Sequence, residues 1–323
     1  MDARLEAING NPVLRFERRL AHPVAKVWRA VTDPAEMANW FPAAIQTELA
    51  VGARMRFTFP EQAPVDGTGE GEVLEYDPPR VYAFRWNNDV LRFELVPEGE
   101  GCVLHFSQVL GGGPLGRLGA GRNAAGWDHC LDALLAQLDG GSVGTFEWLP
   151  KMERYIEVFG LGAGEVVPTD SGCELRFARD LVWKSTKELW NFITEEQSVQ
   201  PGDGAPLRAT NGYVTAGEVV TAEAPTLLEY RWLHEGEPVG LVRWRFAFDA
   251  QLGSRVELTQ TVPARLADQA PTALAAWHTQ LELFFAGVHG DIRCPWPTGR
   301  TEQLADHYAG LFREVCSGRA DRP

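Results

Sequence analysis

Hydrophobic positions along the chain keep two rhythms. Phe16, Arg18 and Leu20 share one phase of a stretch that ends at His22-Pro23, which predicts a strand. Val24, Val27, Trp28 and Val31 then recur at helical spacing, with Pro23 near the first turn. Asp33-Pro34 punctuates the chain before a short segment carrying Trp40 and Phe41. From Arg54 to Phe59 the alternation is strict, with Met55, Phe57 and Phe59 on one face. Further strands are predicted over Val73 to Tyr76, Val81 to Trp86, Leu91 to Val96 and Val103 to Val109. Turn clusters such as Asp77-Pro78-Pro79 and Glu98-Gly99-Glu100-Gly101 separate them. Connections this short favour an antiparallel meander over parallel crossovers. Trp127, Leu131, Leu134, Leu135 and Leu138 then form one apolar stripe of a long helix. Asp128, His129 and Asp132 fall off that stripe and are expected to face water. The result is an α+β domain, its last helix lying across one face of a curved antiparallel sheet.

The pattern then repeats in the same order. Leu14-Arg15-Phe16 recurs as Leu175-Arg176-Phe177, and Val27-Trp28 as Leu189-Trp190. GEVLEYDPPRVYAFRW (71–86) recurs as GEVVTAEAPTLLEYRW (217–232), and GWDHCLDALLAQLDG (126–140) as AWHTQLELFFAGVHG (276–290). In the tails, Trp148, Tyr155 and Phe159 correspond to Trp296, Tyr308 and Phe312. This predicts a tandem duplication joined near the glycine-rich run 160–164, with a first domain over 1–160 and a second over 161–323. The second is shorter: 43 positions separate Trp28 from Gly71, but 27 separate Trp190 from Gly217. The Trp40-Phe41 pair has no counterpart there, so the second cavity is expected to be smaller, open or absent.

Charge narrows the functional classes. Lys and Arg number 30 against 44 Asp and Glu, a net charge of −14. That balance argues against nucleic acid and against an anionic membrane surface as partners. No run of 18 apolar residues predicts a membrane span. The N-terminus has no apolar core of the kind a signal peptide needs, and a cytoplasmic setting is expected. Five widely spaced cysteines (Cys102, Cys130, Cys173, Cys294, Cys316) contain no CxxC and read as small buried hydrophobes rather than a metal site.

FERRLAHPVAKVWRAVTDPAEMANWF, then GEVLEYDPPRVYAFRW, then GW before CLDALLAQLDG resembles the activator-of-heat-shock-protein-90-ATPase-like members of the SRPBCC (START-like, helix-grip) superfamily. The resemblance covers both copies and is strongest in residues 13–160. It implies two tandem helix-grip domains, each a curved antiparallel sheet wrapped around a long C-terminal helix. It also implies a cavity between sheet and helix, and a stress-linked role. The superfamily includes lipid carriers, hormone receptors, polyketide cyclases and co-chaperones, so fold alone does not choose among them.

Alternation nominates the inward residues of the first copy: Met55, Phe57, Phe59, Phe84, Trp86, Leu91, Phe93, Leu95, Leu104 and Phe106. Trp127 and Leu131 add the helix side, and Trp40 and Phe41 close one end. Gln108 and Gln260 share the inward phase, open either to a ligand or to an end-of-strand structural bond. His105 has the outward phase of its strand and His129 lies off the apolar stripe, positions poor for acid–base work. Arg85 and Arg231 read as solvated. The run 111–116 matches GxGxxG, but no strand follows its helix, so it reads as a loop. No catalytic residue, cofactor or metal is expected. The leading expectation is a non-catalytic protein holding a small hydrophobic molecule, mainly in the first domain. The alternatives are a co-chaperone-like protein with a chaperone as partner, and a cyclase- or aromatase-type enzyme.

Overall fold

Alternating apolar residues give each strand one face to bury, and two sheets do so separately in a computed structural model. It describes residues 3–61 and 68–320, with the side chains of 311–320, Phe312 and Cys316 among them, outside the described ones. The chain divides into two units, Met1–Leu161 and Gly162–Pro323.

The first unit carries β1 (Arg4–Ile8), β2 (Asn11–Leu20), β3 (Ala44–Gln46), β4 (Arg54–Thr58), β5 (Thr68–Asp77), β6 (Val81–Trp86), β7 (Asp89–Glu98) and β8 (Gly101–Val109). They form one antiparallel sheet in the order β1-β2-β8-β7-β6-β5-β4-β3. α1 (Val24–Thr32) and α2 (Pro34–Met37) fill the connection from β2 to β3. After β8, α3 (Gly113–Gly116) leads through a 3-10 turn into α4 (Ala120–Leu138), and α5 (Trp148–Val158) packs back on α4. The predicted stripe of α4 is buried at Trp127, Leu131, Leu134 and Leu138, whereas Leu135 is half-buried.

β1 has no alternating apolar face, and its residues are exposed or half-buried. It forms because Asn9 and Gly10, both at positive φ (51° and 80°), make a two-residue turn that pairs Ile8 with Asn11.

The second unit carries β9 (Glu165–Thr169), β10 (Gly172–Asp180), α6 (Thr186–Thr194), β11 (Thr215–Glu223), β12 (Leu227–His234), β13 (Glu237–Asp249), β14 (Gly253–Pro263), α7 (Ala270–Val288) and α8 (Thr298–Ala320). Its sheet runs β11-β12-β13-β14-β10-β9, the path of the first sheet without β3 and β4. A capping box starts α6: the Glu188 backbone N–H donates to Ser185 Oγ at 3.2 Å, and the Ser185 N–H donates to the Glu188 carboxylate at 2.7 Å. Losing two strands leaves β11 at the sheet edge, where its pairing with β12 shifts register twice and Gly204 bridges to Glu218. Both units are thus helix-grip folds, an antiparallel sheet gripping one long helix.

The cysteine expectation is corrected at one position. Cys102, Cys130 and Cys173 are buried free thiols, but Cys294 is exposed, because it lies in the open connection between α7 and α8.

Candidate functional site

The sheet's concave face and α4 bring the nominated residues together. Phe57 on β4 stacks on Trp86 of β6 at 4.7 Å between ring centroids, and Phe59, just past the end of β4, stacks on the same indole at 5.5 Å. Phe41 lies 5.3 Å from Trp86 and 5.4 Å from Trp127. Phe106 lies 4.7 Å from both Phe93 and Trp127, and Phe84 joins Phe57 to Phe93 at 5.9 and 6.1 Å. Trp40 donates its indole N–H to the Ala30 carbonyl at 2.9 Å, which fixes the end segment against α1. Met55 and Leu131 are buried at the margins, while Phe59 and Trp86 are only half-buried. Each such ring pair adds about 0.5–1.5 kcal/mol beyond area burial, so the rings hold one another closed.

Two polar atoms in this apolar wall are unsatisfied. Among the described residues, the Trp86 indole N–H and the Tyr82 hydroxyl are buried without a hydrogen-bond partner. An orphaned donor costs roughly 1–3 kcal/mol. Burial also pushes the Tyr82 phenol well above its ordinary pKa. The second unit satisfies the equivalent indole: Trp232 donates to the Thr261 carbonyl at 2.7 Å. Without β4 there is no Phe57 or Phe59 to stack on Trp232. A Cβ on Gly240 would stand 2.2 Å from Trp232 Nε1, so only glycine leaves room for the indole there.

Gln108 takes the structural role. Its Oε1 accepts from the Trp127 indole at 2.7 Å, and its Nε2 donates to Asp89 at 2.6 Å and to Asn123 at 3.3 Å. Asp89 is the titratable group adjoining the cluster. Burial raises its carboxyl pKa, although the Gly111 N–H, at 2.7 Å, and Gln108 pull the other way. Both its oxygens already accept hydrogen bonds. Asp89 gave no sequence signal beyond its place beside a turn.

The face of α4 expected to meet water is corrected. Asp128 is largely buried because α5 covers it: it pairs with Arg18 of β2 and with Lys151 of α5 at 2.7 Å, and the Arg18 and Asp128 side chains keep 10% and 15% of their surface. His129 is half-buried and stacks on Phe146 at 4.3 Å; burial lowers its pKa. Asp132 is exposed, as expected. His105 is exposed too, while Arg85 and Arg231 reach Glu72 and Glu218 as half-solvated pairs.

The second unit rebuilds this junction. Arg179, the counterpart of Arg18, donates to the carbonyls of Gly162 and Ala178 at 2.6 and 2.8 Å, and burial lowers its pKa to about 10. His278 replaces Asp128, its Nδ1 lying 2.9 Å from the Tyr308 hydroxyl. Burial, reinforced by Arg179 and Arg300, pushes its pKa down to about 3. The imidazole is therefore neutral near pH 7, and its 3.4 Å contact with Glu282 is no ion pair; Arg300 pairs with Glu282 instead, at 2.7 Å.

Among the described residues, no cluster of His, Cys, Asp and Glu could hold a metal ion, and no helix is long and apolar enough to cross a membrane. The fold and its aromatic interior define a helix-grip domain. Residues 21–139, within the first unit, match the family of Activator of Hsp90 ATPase homolog 1-like proteins. No curated protein matches the chain. Solved structures similar to it include a conserved protein of unknown function, EF2215 from Enterococcus faecalis (20% identity, 49% of this chain and 90% of that one, TM-score 0.42). CalU16 from Micromonospora echinospora is another (21% identity, 49% and 93%, TM-score 0.39). DynU16, from the dynemicin biosynthetic locus, spans both units (18% identity, 85% and 96%, TM-score 0.38).

Proposed function

We propose that the chain is a non-catalytic, cytoplasmic binding protein whose first unit takes up a small, flat hydrophobic molecule between the sheet and α4. The observation that carries this reading is the Trp86 indole: its N–H is buried without an acceptor, inside a wall of aromatic rings. A ligand with one acceptor atom would satisfy that donor, and its flat apolar area would replace the ring contacts it displaces. Trp40 and Phe41, on the segment after α2, are the rings that would give way. The second unit, Gly162–Pro323, is read as a shortened copy with a supporting or dimerising role.

Native mass spectrometry of protein from its own host tests this. An added mass that vanishes on denaturation is expected for the wild type. Trp86→Phe keeps a stacked ring but removes the N–H, and should lose most of that mass. Undiminished occupancy in Trp86→Phe would sink the assignment.

The family match over 21–139 favours one further reading, an interaction protein for an Hsp90-type chaperone. Co-purification of that chaperone from native lysate, with no added small-molecule mass, would select it.

A further inference from the structure

The two units treat the same glutamine differently. In the first, the Trp127 indole fixes Oε1 of Gln108, and Nε2 finds Asp89 and Asn123. In the second, Oε1 of Gln260 accepts from the Trp277 indole at 2.6 Å. An indole N–H can only donate, so this contact sets the amide's orientation and aims Nε2 the other way. Sheet register shows what became of the partners. β13 pairs Val242 with Gln260 as β7 pairs Leu91 with Gln108, which puts Gly240 in the place of Asp89. Aligning Trp277 with Trp127 puts Ala273 in the place of Asn123. Both acceptors are gone. Among the described residues Nε2 of Gln260 has no acceptor, although the residue keeps only 1% of its surface.

A cavity of about 110 Å³ lies against that amide. Trp232, Val262, Thr272 and Ala273 contribute to its lining, with Tyr213 and Glu235 at its exposed side. It exists for the same reason the donor is free. Ala273 lines it where the first unit carries Asn123, and any side chain at 240 would collide with Trp232.

We propose that this cavity binds a small neutral molecule through a carbonyl-type acceptor held on the Gln260 amide. Its volume suits about four or five heavy atoms, by comparison with roughly 150 Å³ for benzene. An amide N–H₂ repels cations, and Glu235 beside the cavity, with the chain's net charge of −14, disfavours anions. The site is independent of the aromatic cluster in the first unit, so either reading can fail alone.

N-methylacetamide, with five heavy atoms, is the probe. In ¹⁵N-labelled full-length protein, the Gln260 side-chain N–H₂ pair should shift saturably, with half-saturation at millimolar probe. Ala273→Asn restores the first unit's acceptor and should weaken binding at least tenfold, with the backbone spectrum reporting that the fold survives. Gln260→Glu keeps the acceptor for Trp277 but removes the donor, and should abolish the response of neighbouring Thr272. No saturable shift in the wild type, equal binding by acetate, or undiminished binding in either variant would overturn the proposal.

Discussion

Replacing Asp128 with Asn removes the charge that holds Arg18 and Lys151 together while keeping side-chain size. The Arg18 and Asp128 side chains keep 10% and 15% of their surface, so water screens the pair poorly. Breaking a buried pair by neutralising one partner costs about 3–5 kcal/mol, mostly the penalty of leaving the other charge desolvated. Hydrogen exchange read by mass spectrometry suits a two-unit chain, because peptides from β2 and α4 report the first unit and peptides from α7 the second. At tenfold per 1.4 kcal/mol, exchange in β2 and α4 should accelerate roughly a hundred- to several-thousand-fold, with α7 unchanged. Adding Arg18→Met removes the stranded charge and should recover most of the loss. An acceleration below about fivefold (roughly 1 kcal/mol), or no recovery in the double variant, would refute the argument that desolvation dominates this junction.

The second unit should be acid-sensitive through His278. The folded imidazole takes a proton only near pH 3, whereas the unfolded one does so near 6.5. The unfolded state thus binds the extra proton between those values, and stability falls as pH drops through that window. At 1.36 kcal/mol per unit, the loss from pH 6.5 to 5 is about 2 kcal/mol. Denaturation of His278→Gln at both pH values should show a slope smaller by about one proton; an unchanged slope would remove His278 as the cause. Gly240→Ala should destabilise the second unit by about 1–3 kcal/mol through overpacking against Trp232 and the Thr261 carbonyl. Urea denaturation indistinguishable from wild type would contradict that steric account.

Strand and helix order was legible because alternation and helical spacing act within a few residues. The inward phases of Met55, Phe57, Phe84, Phe93 and Phe106 followed from the same rule, and all five are buried. The Asn9-Gly10 turn that creates β1 was also written locally, yet β1 lacks an apolar face and periodicity passed over it. What stayed hidden depends on pairs far apart in sequence. Arg18 sits in the apolar phase of its strand, but its partner is 110 residues away and is covered by a helix that the apolar stripe of α4 does not imply. Gln108 was correctly placed inward; that its polar atoms belong to Trp127 and Asp89 emerges only when helix and sheet meet.

Shedding β3 and β4 also changed how the second unit meets other chains. A sheet edge offers unpaired backbone groups that template strand addition and aggregation. In the first unit the corresponding strand, β5, is enclosed by β4, so it presents no such edge. β11 carries two register shifts, and the bridge from Gly204 to Glu218 occupies part of its free side. Bulges of this kind twist an edge out of the flat geometry another strand would need. The deletion and the irregularity of β11 are therefore coupled: straightening β11 would turn a shortened domain into a self-associating one.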